Sequence, residues 1–486
     1  MKPLHVFNSL SRAVEEFSPL DPPRVSYYSC GPTVYLPQHL GNMRAYVFVD
    51  TLRRVLEFNG YQVRHVMNIT DVGHMTSDAD AGEDKIEKTA RAEGKSPREV
   101  ADFYIAQFKA DCARLNIELP AAPLLCRATD HVGDMIALIQ RIVKNRLAYV
   151  VGSGVYFDVE KWRGKHRAGR LSRQSLDEQH GQRLEHAADK KSPHDFALWV
   201  LNQPGHLMQW DSPWGRGYPG WHIECSAMSM KYLGETIDIH SGGLDHVPVH
   251  HENEIAQSEG ATGHPFVRYF IHNAFLVGME GAKISKSAGR FPILDDLIAA
   301  DIDPLAFRWL CLMAKYRSEL IFTVDAVRAA QNSLLRLYNF IADMPEAVKE
   351  GPDAGWVGEY VERFGEALND DLNTAQALAV VFEVLTAAHR MRDYNVCNAI
   401  RKFDSILGVD LENAQQKIAV LSESSKTQDV AAHLKARQRK QLRESKQYEK
   451  ADALRQELLQ SGYKVEDVRA APGYRLKRLF VAGGTP

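Results

Sequence analysis

The sequence predicts an α/β fold built on a parallel sheet, followed by a helical bundle and a small basic C-terminal segment. A β-rich run at residues 24–28, helically spaced apolar residues from 41 to 59 and a second β-rich run at 61–69 form one strand–helix–strand unit. Such units are right-handed, and their two strands are parallel. A second α/β segment covers about 205–290, and sustained helical spacing from 360 to 407 indicates the bundle.

The length and composition are those of an ordinary globular protein. With 486 residues the chain is too long for one compact core, so we expect two or three domains. The net charge of -3 gives no overall signature of a nucleic-acid partner. The first residues lack the apolar stretch of a secretory signal, and no charge-free apolar run is long enough to span a bilayer. We therefore expect a cytoplasmic protein with no membrane partner.

The first strand–helix–strand unit places two loops at one edge of the sheet. Cys30-Gly31 follows the first strand and Thr70-Asp71 follows the second, and ligands of open α/β sheets bind at this carboxyl edge. Residues 71–84 then carry five carboxylates between small residues. They allow either a cation site or a solvated acidic loop that leads into a helix. Because the pattern of a calcium-binding loop is missing, we favour the acidic loop.

The middle of the chain changes character twice. Residues 99–150 are largely helical by periodicity, whereas 151–200 are polar and irregular, as expected of an inserted module. Further along, segments rich in proline, glycine, serine and charged residues at 345–352 and 422–428 are interpreted as linkers.

The six cysteines do not suggest a disulfide framework in so long a chain. Four of them lie among apolar neighbours in helix-like stretches and are interpreted as core residues, namely Cys112, Cys126, Cys311 and Cys397. Cys30 and Cys225 stand beside glycine, polar residues or histidine instead. This different setting makes them candidates for chemistry.

The C-terminal segment has a charge that the average conceals. Residues 431–486 contain 13 lysines and arginines against 6 acidic residues. A basic tail on an acidic body is a sign of polyanion binding. An alternating-charge helix on the surface would have the same composition, and the tail alone does not decide between the two readings.

A candidate metal site has two sulfur and two other donors. His250 and Glu254 are four residues apart, so on a helix they share one face and can converge on a metal ion. Cys30 and Cys225 would complete a donor set suited to zinc. The alternative for the histidine and glutamate is a solvated pair on a helix surface.

Two further segments have the residue types of phosphate sites. The run from His39 to Asn42 opens a helix, and helix N-termini bind phosphate, with Gly41 letting the backbone approach the anion. The alternative is that His39 is an ordinary helix-end residue. Residues 281–290 combine lysine, serine and glycine, which suits a mobile loop that clamps phosphate, or else a plain basic surface loop.

Taken together, these segments occur in an order that resembles the cysteinyl-tRNA synthetases, a family of class I aminoacyl-tRNA synthetases. Residues 30–35 with 39–42 resemble the opening of that family and its HIGH signature, and 283–287 (Lys-Ile-Ser-Lys-Ser) resemble its KMSKS loop. Further similar segments lie at 195–199, 212–215, 220–228, 250–257, 368–374 and 451–455. The resemblance runs from residue 2 to about 478 and is specific because so many segments recur in order.

The resemblance implies the fold and the domains. The fold would be a doubly wound, Rossmann-like catalytic domain over residues 1–322 with an insertion at about 121–205. A helical bundle domain would follow at 323–420 and a basic anticodon-binding domain at 431–486. The implied protein is a monomer whose partners are tRNA(Cys), cysteine and ATP.

The resemblance also implies roles for individual residues. One zinc ion would be bound by Cys30, Cys225, His250 and Glu254 and would select the substrate thiolate, because a soft metal separates cysteine from serine better than an apolar pocket does. Thr70 and Trp221 would shape the amino-acid pocket. ATP, accompanied by Mg²⁺, would contact His39, Gly41, Asn42 and Asp245, with Lys283 and Lys286 neutralising the pyrophosphate.

The sequence departs from the family pattern at a few positions. Asn42 replaces the second histidine of the class I signature and cannot titrate. Ile284 replaces methionine, the acidic stretch 71–84 is long, and residues 472–475 lack a tryptophan. Two alternatives to a tRNA ligase are an ATP-dependent ligase that joins cysteine to another amine and a catalytically silent paralogue.

Overall fold

The computed structural model describes most of the chain. The described residues are 2–72, 84–164, 169–173, 189–203, 205–278, 291–345 and 351–421, together with 435–436, 438–440, 442–443, 447–460, 463–467 and 474–478 near the C-terminus. No helix among these residues is long and apolar enough to cross a membrane.

The strands of the described residues form one central sheet and several small ones. In chain order they are β1 (His5–Asn8), β2 (Ala13–Glu16), β3 (Arg24–Ser29), β4 (Gln62–Ile69), β5 (Leu125–Arg127), β6 (Ala148–Val151), β7 (Gly154–Phe157), β8 (Phe196–Leu201), β9 (Gly217–Pro219), β10 (Ile237–Gly243), β11 (Val267–Asn273), β12 (Leu276–Val277), β13 (Leu320–Ile321), β14 (Tyr463–Asp467) and β15 (Tyr474–Arg478).

The helices cover both faces of the sheet and then form the bundle. They are α1 (Leu40–Phe58), α2 (Lys85–Glu93), α3 (Pro97–Arg114), α4 (Val132–Lys144), α5 (Val159–Arg163), α6 (Trp221–Leu233), α7 (His250–Thr262), α8 (Leu294–Ala299), α9 (Pro304–Leu312), α10 (Val324–Ala342), α11 (Val357–Asn369), α12 (Thr374–Met391), α13 (Cys397–Leu407) and α14 (Tyr448–Gln460).

The central sheet is parallel, as the sequence predicts. Its five strands lie in the order β11–β10–β3–β4–β5, and all four pairings are parallel. The predicted strand–helix–strand unit is β3–α1–β4, in which α1 begins one residue after its cap His39. The carboxyl ends of β3 and β10 therefore lie side by side, which brings together segments that are two hundred residues apart in the chain.

Two hydrophobic cores lie on opposite faces of this sheet. Tyr27 packs in one core and its neighbour Tyr28 in the other, because successive strand side chains point to opposite faces. The first core joins α1 to the bundle helices α10–α13 without a break. The second joins the sheet to α4, α6, α7 and the strand β8.

The region 151–200 is more regular than the sequence predicted, since it contributes strands to a sheet. Strands β6–β9 form a four-stranded antiparallel sheet, and β8 is a wholly buried apolar strand. Two residues join β6 to β7, whereas a long polar stretch separates β7 from β8, and parts of that stretch, at 165–168 and 174–188, lie outside the described residues. The expectation for Cys126 is corrected too, since this buried thiol lies on β5 and not in a helix.

The C-terminal part forms a small unit around its own core. Strands β14 and β15 pair antiparallel, and Leu458 of α14 packs with Tyr463 and Val465 of β14. Lys435 and Glu457 form an ion pair of 2.9 Å, which fits the reading of interleaved charges on helices. Most of the two expected linkers lies outside the described residues.

Candidate metal and nucleotide site

A cleft of about 510 Å³ opens at the carboxyl edge of the central sheet. Most of the predicted site residues line this cleft. They are Cys30, His39, Gly41, Asn42, Thr70, Trp221, Cys225, Asp245 and His250. Glu254 lies behind the cleft wall, one helical turn after His250. Lys283 and Lys286 lie outside the described residues.

The four predicted metal ligands converge at one end of the cleft. Cys30 follows β3, Cys225 lies in the first turns of α6, and His250 and Glu254 face the same way on α7. Their four ligand atoms all lie within 4.8 Å of one another. Nε2 of His250 is 2.9 Å from Oε1 of Glu254, so the spacing of four residues does bring the pair together.

Charge is unevenly shared within this cluster. The hydrogen bond from the Cys30 thiol lowers the pKa of Cys225 to about 6, whereas burial raises the pKa of Cys30 well above its usual value. Burial opposes ionisation of Glu254, but His240 and His250 outweigh it and lower its pKa. Burial also opposes the charged form of His250, yet Glu254 and Cys225 raise its pKa to about 10. The cluster thus concentrates anionic donors in a buried place.

The donor set fits zinc. Two sulfurs, one imidazole nitrogen and one carboxylate oxygen are ligand types that Zn²⁺ takes, and four is its preferred number. Oε1 of Glu254 is buried and accepts no aligned hydrogen bond from the described residues, although His250 is close by. Because a buried anionic cluster needs counter-charge, a cation at this position would stabilise it.

Two histidines that sequence reasoning missed stand beside the predicted ligands. His240 and His251, with Cys30 and Glu254, form a second group whose ligand atoms lie within 4.8 Å. Nε2 of His240 is 2.9 Å from Oε2 of Glu254, and Nε2 of His251 is 3.5 Å from Sγ of Cys30. A partner that holds a ligand in place is a common feature of metal sites. The only sequence signal was the doubled histidine at 250–251.

The other end of the cleft contains the start of α1. Nδ1 of His39 accepts a hydrogen bond from the backbone N–H of Asn42 at 3.1 Å, and burial lowers the pKa of His39. A neutral imidazole whose Nδ1 is an acceptor carries its proton on Nε2, so the ring can donate a hydrogen bond into the cleft. The Asn42 side chain donates to Oε1 of Gln38 at 2.8 Å.

Phe291 is a third residue that sequence reasoning missed. Its ring stacks on that of His39, with centroids 4.7 Å apart and planes inclined by 25°. The carbonyl of Pro292 accepts a hydrogen bond of 2.8 Å from the backbone of Leu40. Phe291 and Pro292 therefore contact the start of α1, next to the predicted phosphate site.

Two glycines make room for other side chains of the cleft. A Cβ at Gly41 would lie 3.0 Å from the ring of His39. A Cβ at Gly243 would lie 2.3 Å from Oδ1 of Asp245, so a larger residue here would displace this carboxylate from its present position. Trp221 begins α6, and the centroid of its ring lies 4.3 Å from the centroid of the His250 ring.

The expectation of a solvated acidic loop at 71–84 is wrong at both of its ends. Asp71 is 1% exposed and accepts hydrogen bonds from Nε of Arg127 at 2.8 Å and from the hydroxyl of Thr129 at 2.7 Å. Asp84 is equally buried and caps α2. Both carboxylates therefore have structural partners, and residues 73–83 lie outside the described residues.

Comparisons with known proteins identify the family. A model described as tRNA synthetases class I (C) catalytic domain matches residues 16–332, and the DALR domain matches 363–462. A cysteine–tRNA ligase of Chlorobaculum tepidum is 42% identical over 98% of this chain and the whole of that protein. The chain belongs to the cysteine–tRNA ligase family. A further family member, from Treponema denticola, is 41% identical over 96% of this chain and 98% of its own length.

The fold of the family extends to other class I synthetases. A Mycobacterium tuberculosis methionyl-tRNA synthetase in complex with methionyl-adenylate superposes with a TM-score of 0.56 at 13% identity, covering 83% of this chain and 92% of that one. At this identity the likeness concerns the fold alone. The predicted membership of the cysteinyl-tRNA synthetases and the predicted α/β fold with a helical region are confirmed.

Proposed function

We propose that this protein uses ATP to activate cysteine as cysteinyl-adenylate and transfers the cysteinyl group to the 3′ end of tRNA(Cys). The observation that carries this proposal is the cleft itself, which has a sulfur-rich donor cluster at one end and the start of α1 at the other. A cysteine held by its thiol at the first end would direct its carboxylate toward an ATP phosphate at the second. Membership of the cysteine–tRNA ligase family supports the same chemistry.

The chain's own residues would act by position and charge. The cysteine carboxylate attacks the α-phosphorus of ATP, and pyrophosphate leaves with the bonding electron pair. His39 would donate Nε2–H to a phosphate oxygen, helped by the positive end of the α1 dipole. We assign Lys283 and Lys286 the neutralisation of the pyrophosphate, and Asp245 and Gly41 a place beside the nucleotide. A hydroxyl of the terminal adenosine of the tRNA then attacks the acyl carbon and releases AMP.

The selection of cysteine over serine is assigned to the donor cluster. Cys30, Cys225, His250 and Glu254 would hold zinc. When bound, zinc supplies a soft Lewis acid that prefers the substrate thiolate to the hydroxyl of serine. The two substrates differ by one atom, and an apolar pocket separates such isosteres poorly. We therefore assign discrimination to the metal, and the general shape of the pocket to Thr70 and Trp221.

The domain plan belongs to the same proposal. We assign residues 1–322 to catalysis, with the insertion at about 121–205, 323–420 to the helical bundle and 431–486 to contact with the anticodon. The excess of basic residues in 431–486 supports this last assignment. We further propose a cytoplasmic enzyme that acts as a monomer, which equilibrium sedimentation at several concentrations would test.

The central experiment compares cysteine with serine. Purified protein with ATP and tRNA(Cys) should form cysteinyl-tRNA, and serine should give no product above background. Cys225→Ala should lose bound zinc, measured by elemental analysis, together with selectivity for cysteine. Cys112→Ala is the matched control, because it removes a buried thiol of α3 that is not in the cluster. Full zinc and full selectivity in Cys225→Ala would refute the ligand assignment, and exchange of ATP with pyrophosphate without tRNA charging would refute the function.

A further inference from the structure

A buried carboxyl group stands directly behind the wall of the cleft. Glu224 lies in the first turn of α6, its side chain is fully buried, and it is not part of the cleft lining. Its Oε2 accepts a hydrogen bond of 3.1 Å from the hydroxyl of Thr70, and its Oε1 has no hydrogen-bond partner among the described residues. Nothing in the proposed mechanism uses this group so far.

Thr70 is held in place from three sides. Its backbone N–H donates to the carbonyl of Pro32 at 3.0 Å, and its carbonyl accepts from the N–H of Val34 at 3.2 Å. Its hydroxyl also accepts a hydrogen bond of 3.1 Å from Nδ2 of Asn68. The hydroxyl position is therefore fixed at the end of β4, on the lining of the cleft.

This arrangement fixes what the hydroxyl can offer to a ligand. A threonine hydroxyl has one proton and two lone pairs. Burial raises the pKa of Glu224 well above its usual value, and the carbonyl oxygen of a neutral carboxyl group accepts a hydrogen bond as a carboxylate oxygen does. The hydroxyl proton is donated to Oε2 of Glu224 and one lone pair accepts from Asn68, which leaves one lone pair. Toward the cleft, Thr70 is thus an acceptor only, and it matches a donor such as an ammonium group.

We propose that Glu224 is a positioning residue that holds the Thr70 hydroxyl as an acceptor for the ammonium group of the substrate amino acid. The inference rests on the proposed function, because it needs an amino acid in the cleft. Without the carboxyl group, the hydroxyl can turn its proton into the cleft and oppose the ammonium donor. Asn68 completes the arrangement, since its Oδ1 accepts from the backbone of Gly31 at 2.8 Å and so links β4 to the residue after Cys30.

The test uses two thiol inhibitors, each of which keeps one of the two charged groups of cysteine. Cysteamine keeps the ammonium group and lacks the carboxylate, whereas 3-mercaptopropionate keeps the carboxylate and lacks the ammonium group. In Glu224→Leu, the KM for cysteine and the inhibition constant of cysteamine should both rise about 10-fold, the effect of one lost hydrogen bond to a charged group. The inhibition constant of 3-mercaptopropionate, the KM for ATP and the zinc content should stay within twofold.

Further variants distinguish a positioning role of Glu224 from an effect of the substitution on folding. Glu224→Gln keeps an acceptor oxygen and should restore the KM for cysteine. Ser229→Ala is the matched control, because its buried hydroxyl lies on the same helix and donates to the carbonyl of Ser226. If Glu224→Leu does not fold, Thr70→Val tests the same prediction with the two inhibitors. In the double variant Glu224→Leu, Thr70→Val, the KM should rise no further than in Thr70→Val alone.

Three outcomes would overturn the inference. They are equal weakening of both inhibitors, loss of zinc from Glu224→Leu, and a fall in kcat with no change in the KM for cysteine. Absence of cysteine-dependent ATP–pyrophosphate exchange in the unmodified protein would instead refute the proposed function, and so the two failures are distinguishable.

Discussion

A buried ion pair between α1 and α9 gives the sharpest prediction about stability. Oδ2 of Asp50 lies 2.7 Å from Nη2 of Arg308, and both side chains are fully buried. Nε of Arg54 also donates to Asp50 at 2.7 Å. Nε of Arg308 donates to the carbonyl of Leu407 at the end of α13. The pair therefore connects the helix that begins at the nucleotide end of the cleft with the bundle.

The expected cost of breaking the pair follows from two considerations. Burial alone would raise the pKa of Asp50, but the guanidinium groups of Arg308, Arg54 and Arg53 outweigh it and lower the pKa from 3.8 to about 2. A shift of this size corresponds to about 2 kcal/mol of net stabilisation of the charged carboxylate. Removing one partner of a buried pair leaves the other unpaired and costs about 3–5 kcal/mol. We expect Asp50→Asn to lower the free energy of unfolding by about 3 kcal/mol at pH 7.

Urea unfolding at pH 7 measures this quantity. It should be followed by tryptophan fluorescence, with Trp309 adjacent to Arg308, and by circular dichroism, because the two transitions must coincide for a two-state treatment. The control is Asp21→Asn, which breaks an exposed ion pair with Arg24 and should change stability by less than about 1 kcal/mol. If Asp50→Asn destabilises no more than this control, the reasoning about the buried pair is wrong.

Other contacts lead to further predictions. Phe291→Leu removes the ring stacked on His39 and should raise the KM for ATP about 3- to 10-fold without changing the KM for cysteine; an equal rise in both would contradict it. The guanidinium of Arg44, on α1, donates to the carbonyls of Phe275, which lines the cleft, and of Ser318, and a lysine cannot reach both. Arg44→Lys should therefore slow ATP–pyrophosphate exchange, and an unchanged rate would contradict a role of this contact in shaping the cleft. Burial and a nearby carboxylate raise the pKa of Asp111 to about 6, so the folded state retains this proton and loses stability as the pH rises from about 4 to 6. As the pH rises from about 4 to 6, the melting temperature of Asp111→Asn should therefore increase relative to that of the unmodified protein. A constant difference in melting temperature between the two proteins over this range would contradict the prediction.

Local patterns in the sequence were sufficient for the main elements of the fold. Helix α1 has 19 residues and strands β3 and β4 have six and eight, and each carries the apolar residues typical of its secondary structure. The antiparallel sheet of β6–β9 escaped prediction because three of its strands have only three or four residues and a long polar stretch separates β7 from β8. A period of two cannot be recognised over three residues, so only the packing of these strands against each other defines them.

The candidate site could be predicted only as far as its residues lie in recognisable segments. The four donors belong to segments that resemble the family, and their convergence could be expected. His240 has no such segment and reaches Glu254 because α7 folds back onto the strand β10 that precedes it. Phe291 is likewise placed by a long-range contact with His39. Both depend on tertiary neighbours that no local pattern encodes.

The position of the cleft follows from the strand order itself. From β3 the chain crosses through α1 to β4 on one side, whereas from β10 it crosses through α7 to β11 on the other. The two connections cover opposite faces of the sheet, since α1 packs in the first core and α7 in the second. The loops after β3 and β10 therefore separate and leave a crevice between them, as at other points where the direction of a parallel sheet reverses. One donor, Cys30, must come from the first half of the sheet and the other three from the second, and a metal ion bound there would join the two halves where the nucleotide is proposed to bind.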